Sequence, residues 1–247
     1  MGLFDMFSKK PTPKKIDKLT KRMLNEHQQQ QVRQEAIAEL VSFGTVEAIA
    51  ALVKRLGMNF RDTIKNEADK RQVSDILVDH FAAEAIQPLL SFIRTEQKIS
   101  AVIMTLGRVV GPERLVTELI QVLEQYAPSD HSTMDARLQL VDALADHDDE
   151  RVVPAVTPYL ADHDDDVRIK VMGLVEDRVG PKHDSVPHVV EGLMNVLTDP
   201  MASGRIVRRA ATVLAKLKVD LSLRKDEFIE FLPEGVQMAK NGRLTVR

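Results

Sequence analysis

A helical phrase recurs along this chain about every 30 to 40 residues, and that recurrence limits what the chain can fold into. Thr45-Val46-Glu47-Ala48-Ile49-Ala50-Ala51-Leu52 returns as Ala82-Ala83-Glu84-Ala85-Ile86-Gln87-Pro88-Leu89. Looser copies open at Pro112-Glu113-Arg114-Leu115 and at Asp149-Glu150-Arg151-Val152-Val153-Pro154. The glutamates Glu47, Glu84, Glu113 and Glu150 stand 37, 29 and 37 positions apart. A unit of this size cannot bury its apolar face alone, so it buries it against its neighbours in a solenoid.

Upstream of each phrase lies a second amphipathic stretch. Val32, Ala36, Ile37, Leu40 and Val41 form one stripe at helical spacing. The counterparts are Val73, Ile76, Leu77 and Phe81; Val102, Ile103, Leu106 and Val110; Leu138, Val141 and Leu144; Val167, Val171, Leu174 and Val175; and Ile206, Ala210, Val213, Leu214 and Leu217. Phe43-Gly44-Thr45, Val110-Gly111-Pro112 and Val179-Gly180-Pro181 break the chain between the two helices of a unit. Glycine ends a helix in the left-handed conformation, and proline fits the first turn of the next. Each repeat therefore reads as helix, turn, helix.

The Val-Arg steps Val32-Arg33, Val167-Arg168 and Val207-Arg208, with Pro88, Pro154 and Pro187 in the second helices, resemble the HEAT-repeat family. The link from Leu160 through Asp162-His163-Asp164-Asp165-Asp166 to Arg168 is the clearest match, and the likeness spans residues 26 to 232. The Met-Gly-Leu-Phe-Asp start is similar to that of some bacterial HEAT-repeat proteins. The implied fold is all-α, a right-handed α-solenoid of helical hairpins. Two departures stand out: the repeat from 97 to 127 lacks the Val-Arg step, and the last unit lacks a clean second helix. The ladder arginines Arg33, Arg168 and Arg208 are expected to pair with the Asp of a preceding turn, as Asp165 or Asp166 would with Arg168, fixing register.

The ends read differently. Residues 1–13 form an apolar and basic tail, expected to be flexible, in which Leu3, Phe4 and Phe7 precede Lys9 and Lys10. Apolar side chains beside a basic cluster make these five the candidate membrane contacts. Residues 14–25 form a helix capping an array of five to six repeats over 26–232, and 233–247 form a β-hairpin around Asn241-Gly242. That hairpin is expected to pack on the last helices; the alternative is an edge offered to a partner strand. The start is too short for a signal peptide, and no run approaches the roughly 20 apolar residues of a membrane span. The chain has no cysteine, which excludes thiolate metal sites and a cysteine nucleophile and fits a reducing cytoplasm.

Net charge of -3 hides an asymmetry. Residues 1–22 hold seven Lys or Arg against two Asp, residues 130–166 hold eleven Asp or Glu against two Arg, and residues 203–247 hold ten basic against five acidic side chains. The acidic turns Asp146-His147-Asp148-Asp149 and Asp162-His163-Asp164-Asp165 could each suggest a metal. They lie roughly 15–20 Å apart along a helix, so they cannot share an ion, and Asp at a helix start serves as a cap. His80 and His188 read as partly buried packing residues. No His-Glu dipeptide is present to resemble the repeat-built metal hydroxylases.

The expectation is thus a non-enzymatic scaffold or adapter, with no catalytic residue, metal or cofactor. It would bind a protein through a concave face carrying Lys54, Arg55, Gln87, Glu118, Gln121, Thr157, Glu191 and Asn195. Candidate partner contacts are Asp146, Asp148, Asp149, Asp162, Asp164, Asp165, Asp166, Arg205, Arg208 and Arg209, the acidic ones steering a basic segment. The alternative is an adapter tethered to the inner membrane by its tail. A helical-repeat DNA glycosylase or other DNA-binding protein is disfavoured by the acidic middle and the absence of tryptophan. Nothing in the sequence separates a chromophore-lyase pocket from core packing.

Overall fold

The computed structural model describes residues 11–246. It is mostly helical, ends in a two-stranded sheet, and divides into two compact units, one ending at Glu118 and the other beginning at Leu119. The candidate membrane contacts Leu3, Phe4, Phe7, Lys9 and Lys10 lie outside the described residues.

In the first unit, α1 (Pro13–Leu24) starts where the Thr12 hydroxyl accepts the Lys15 N–H. It buries Ile16, Leu19 and Met23 against α2 (Gln30–Phe43) and α3 (Val46–Gly57). Gly44 ends α2 with φ of 60°, and Thr45 caps α3 through the Ala48 N–H. The chain continues through α4 (Thr63–Ile76), α5 (Ile86–Thr95) and α6 (Ser100–Val110), and α7 (Pro112–Leu123) begins directly after Gly111, whose φ is 80°. Leu40, Leu52, Val73, Leu89 and Leu106 are fully buried; each such side chain contributes about 1.5–3 kcal/mol of transfer free energy.

The stretch Thr63–Thr95 is, by length and composition alone, long and apolar enough to cross a membrane, contrary to the sequence expectation. Its backbone is interrupted: α4 runs into a wide turn at Leu77–Phe81, and Ala82 has φ of 44°. Leu77, Phe81, Leu89 and Ile93 are buried within the unit.

The second unit comprises α8 (Met134–Ala145), the short α9 (Val152–Val156), α10 (Asp165–Arg178), α11 (Val186–Thr198), α12 (Gly204–Leu217) and α13 (Lys225–Phe228). After α12 the chain makes only short helical turns, over Ser222–Arg224, Lys225–Phe228 and Ile229–Phe231. Strands β1 (Val236–Met238) and β2 (Leu244–Val246) pair antiparallel, and β2 packs on α12 with Val236 and Leu244 buried. Gly242 alone in the turn has positive φ, 75°, and its N–H reaches the Ala239 carbonyl at 3.0 Å. The turn is therefore a three-residue loop closed by a glycine bulge rather than a two-residue Asn-Gly turn. Gly180 is not in the left-handed region either; seven irregular residues link α10 to α11.

The prolines Pro88, Pro154 and Pro187 fall in the first turns of α5, α9 and α11, where a missing N–H costs no intrahelical bond. The arginines depart from expectation. Arg33, Arg137 and Arg168 are each the fourth residue of their helix, and all three are buried. Their carboxylates lie further on in the chain, not in the preceding turn. Arg33 donates to Asp69 at 3.0 Å, Arg137 donates twice to Asp162 at 2.7 and 2.9 Å, and Arg168 donates to Asp199 at 3.2 Å. Asp165 stands 4.0 Å from Arg168, a secondary contact. Arg208 is not a ladder residue: it is the fifth residue of α12, one step and about 100° past the inward position, and bonds the Glu234 carbonyl from the surface.

Arg55, expected on an exposed face, has no exposure at all. It bonds the Met58 carbonyl and Asn66, lies 3.7 Å from Asp69, and stacks 3.8 Å above the Phe60 ring. Burial pushes its pKa down, and Asp69 opposes that shift. Two guanidinium groups thus share one buried carboxylate.

Candidate functional site

The second unit holds a groove of about 1130 Å³. One wall follows from a proline. Pro158 cannot donate to the carbonyl of Pro154, so α9 stops after five residues and the chain tightens into a 3-10 turn over Thr157–Ala161. Tyr159 pins that turn, its hydroxyl bonding the carbonyls of Leu123 and Tyr126. Burial pushes the Tyr159 phenol up to about 12.

The opposite wall is α11. Val189, Val190, Leu193, Met194, Val196 and Leu197 turn inward, which leaves His188, Glu191 and Asn195 at helical spacing on the groove face. Gly192 lets the two walls meet: a Cβ there would come within 2.8 Å of a Leu160 methyl. Thr157, Glu191 and Asn195, all expected to face a partner, therefore line the same groove. His188 is exposed there, and His80 is exposed beside the edge of Phe81; neither is a packing residue.

The lining includes Asp162, Asp165, Asp184, Glu191 and Asp199, five carboxylates, against a single arginine, Arg168. Asp162 is spent on Arg137 and is buried, so it is structural and not a partner contact. Asp199 answers Arg168. Asp165 accepts from Ser203, and Glu191 pairs with Arg224 at 2.7 Å. Arg224 also holds Glu227, and the two carboxylates push its pKa up. Asp184 is exposed, with no ion pair among the described residues. The groove is acidic overall.

The acidic turns mostly serve the backbone. Asp164 caps α10 by accepting the N–H of Asp166 and of Val167. Asp149 accepts the Arg151 N–H and side chain, which lowers its pKa to about 2. Asp146 and Asp148 are exposed. His163 Nδ1 lies 2.9 Å from the Pro128 carbonyl and 3.3 Å from Arg137 Nη2, and its ring meets His131 at 3.7 Å. Among the described residues no three His, Asp or Glu side chains gather to hold a metal ion. The basic candidates are partly engaged: Arg205 pairs with Asp166 at 3.1 Å, and Arg209 with Glu176.

No family model matches the chain, and no curated protein matches it.

Proposed function

We propose that the chain is a non-enzymatic helical-repeat scaffold of HEAT-like design, a solenoid in architecture, whose acidic groove in the second unit takes a basic segment of another protein. The observation that carries this reading is the groove itself: an apolar floor of Leu160, Gly192 and Val196 under carboxylates that outnumber cations. Alternating apolar and cationic side chains would satisfy both parts, with carboxylates steering encounter. The test is fluorescence anisotropy with a labelled peptide alternating Leu with Lys. Wild type should bind it, and Asp184→Lys with Glu191→Lys should weaken binding at least tenfold. Equal affinity in both proteins would refute the site.

A second reading, contact with an anionic membrane, draws on α1. Its exposed face carries Lys14, Lys18, Lys21 and Arg22 around a surface groove that also holds Asp17, paired with Lys21. Its apolar face is already buried on α2 and α3, so attraction would be electrostatic and salt-sensitive. Co-sedimentation with phosphatidylserine vesicles that survives Lys14→Glu with Lys18→Glu would reject it.

A further inference from the structure

A second groove, of about 510 Å³, runs between α12 and β2 and is independent of the acidic one in the residues that form it. Its charged lining residues are Lys216, Lys218 and Arg243, with no carboxylate among them. Lys216 pairs with Glu176, whereas Lys218 and Arg243 form no ion pair among the described residues. Arg243 acts electrostatically on Asp220, whose carboxylate is already bonded to Ser222.

The backbone of β2 forms the other side. The Ala239 N–H meets the Arg243 carbonyl at 2.8 Å, which fixes the phase of the ladder. Hydrogen-bonded and non-bonded pairs alternate along an antiparallel ribbon. In the observed register Gln237↔Thr245 is then the bonded pair, and Leu244 and Val246 turn their N–H and C=O groups away from β1, Val246 half exposed and Leu244 buried in the groove floor. The turn is tied to the chain after α12: the Gly242 carbonyl accepts the Leu221 N–H at 2.9 Å. Lys218 ends α12 in the left-handed conformation, φ 54°, where glycine or asparagine is the usual residue. Its side chain is thereby set at the groove wall.

We propose that this groove binds an extended acidic peptide segment that adds a strand to the free edge of β2. Main-chain bonds to Leu244 and Val246 would supply affinity, and carboxylates on alternate residues would meet Lys218 and Arg243. A groove lined by cations and no carboxylate selects against basic segments.

The probe is a fluorescein-labelled peptide alternating Val with Glu, titrated against the full chain by anisotropy. Val246→Pro removes one outward N–H and leaves the Gln237–Thr245 pairing intact. It should weaken binding at least tenfold, as should Lys218→Glu with Arg243→Glu. Because the proline could unsettle the hairpin, the probe is also N-methylated on alternate residues, which blocks strand addition with the protein unchanged; one of the two methylation phases should abolish binding. Amide exchange at Leu244 and Val246 should slow with the unmodified probe. The proposal is overturned if no binding is seen, if both methylation phases bind as well as the parent (charge attraction alone), or if protection falls elsewhere.

Discussion

At the scale of single residues, the stability of each unit depends on buried charge. Asp69 is the one carboxylate shared by Arg33 and Arg55, and all three are at most 2% exposed. Among the described residues Arg33 Nη2 and Arg55 Nε have no partner, so this cluster already has excess positive charge. Asp69→Asn should cost about 3–5 kcal/mol, because it strands two guanidinium groups. Arg205→Ala, which breaks an exposed pair with Asp166, should cost under about 0.5 kcal/mol. Urea unfolding of the two variants checks the contrast. Tyr159 gives a pH prediction. Its folded pKa, about 12, lies above the ordinary 10.0, so its contribution is complete below pH 10 and is lost as pH rises towards 12. Tyr159→Phe should flatten the wild-type loss of stability across that window, read from urea midpoints at each pH. The sequence marked Arg33 as a paired arginine but named neither its partner Asp69 nor the buried Arg55. Charged residues read as surface, and the pairs Arg33–Asp69 and Arg137–Asp162 join positions 36 and 25 apart.

At the scale of elements, the helices were legible because helix periodicity and its stop signals are local. The apolar stripes of α10 and α12 are buried as spaced, α2 buries Ala36, Ile37 and Leu40 but leaves Val32 and Val41 half-buried, and Gly44 and Gly111 end their helices with positive φ. Nothing lies within 4 Å of a Cβ added at either glycine, so substitution there tests backbone strain alone. Gly44→Ala, in the left-handed helical region, should cost about 1 kcal/mol. Gly111→Ala should cost more, about 2–3 kcal/mol, because its ψ of 168° lies where only glycine is comfortable. Thermal and urea denaturation should rank them in that order. What the Val-Arg pattern could not show was phase. In α10 the arginine leads the inward stripe, with Val171, Met172 and Val175 following at three, four and seven residues. In α12 the same stripe, Ala210, Ala211 and Leu214, counts back to Val207, so Arg208 faces out. Arg137 was missed because an alanine precedes it.

At the scale of the whole molecule, charge is sorted by groove. Carboxylates gather between the 3-10 turn and α11, and cations gather between α12 and β2. The sequence showed this sorting only as charge runs, and it named Thr157, Glu191 and Asn195 because exposed positions on a helix follow its period. It could not show depth, which comes from Pro158 ending α9 and Gly192 admitting Leu160. Attraction between a basic segment and the acidic groove should weaken as salt rises from about 0.05 to 0.5 M, since screening shortens from roughly 14 to 4 Å; anisotropy titrations across that range read the slope. The most direct measurement of the central claim is hydrogen exchange of the intact chain with and without the Leu-Lys peptide. Protection confined to residues 154–163 and 184–199 is the predicted result. Binding without protection in those two segments would contradict it.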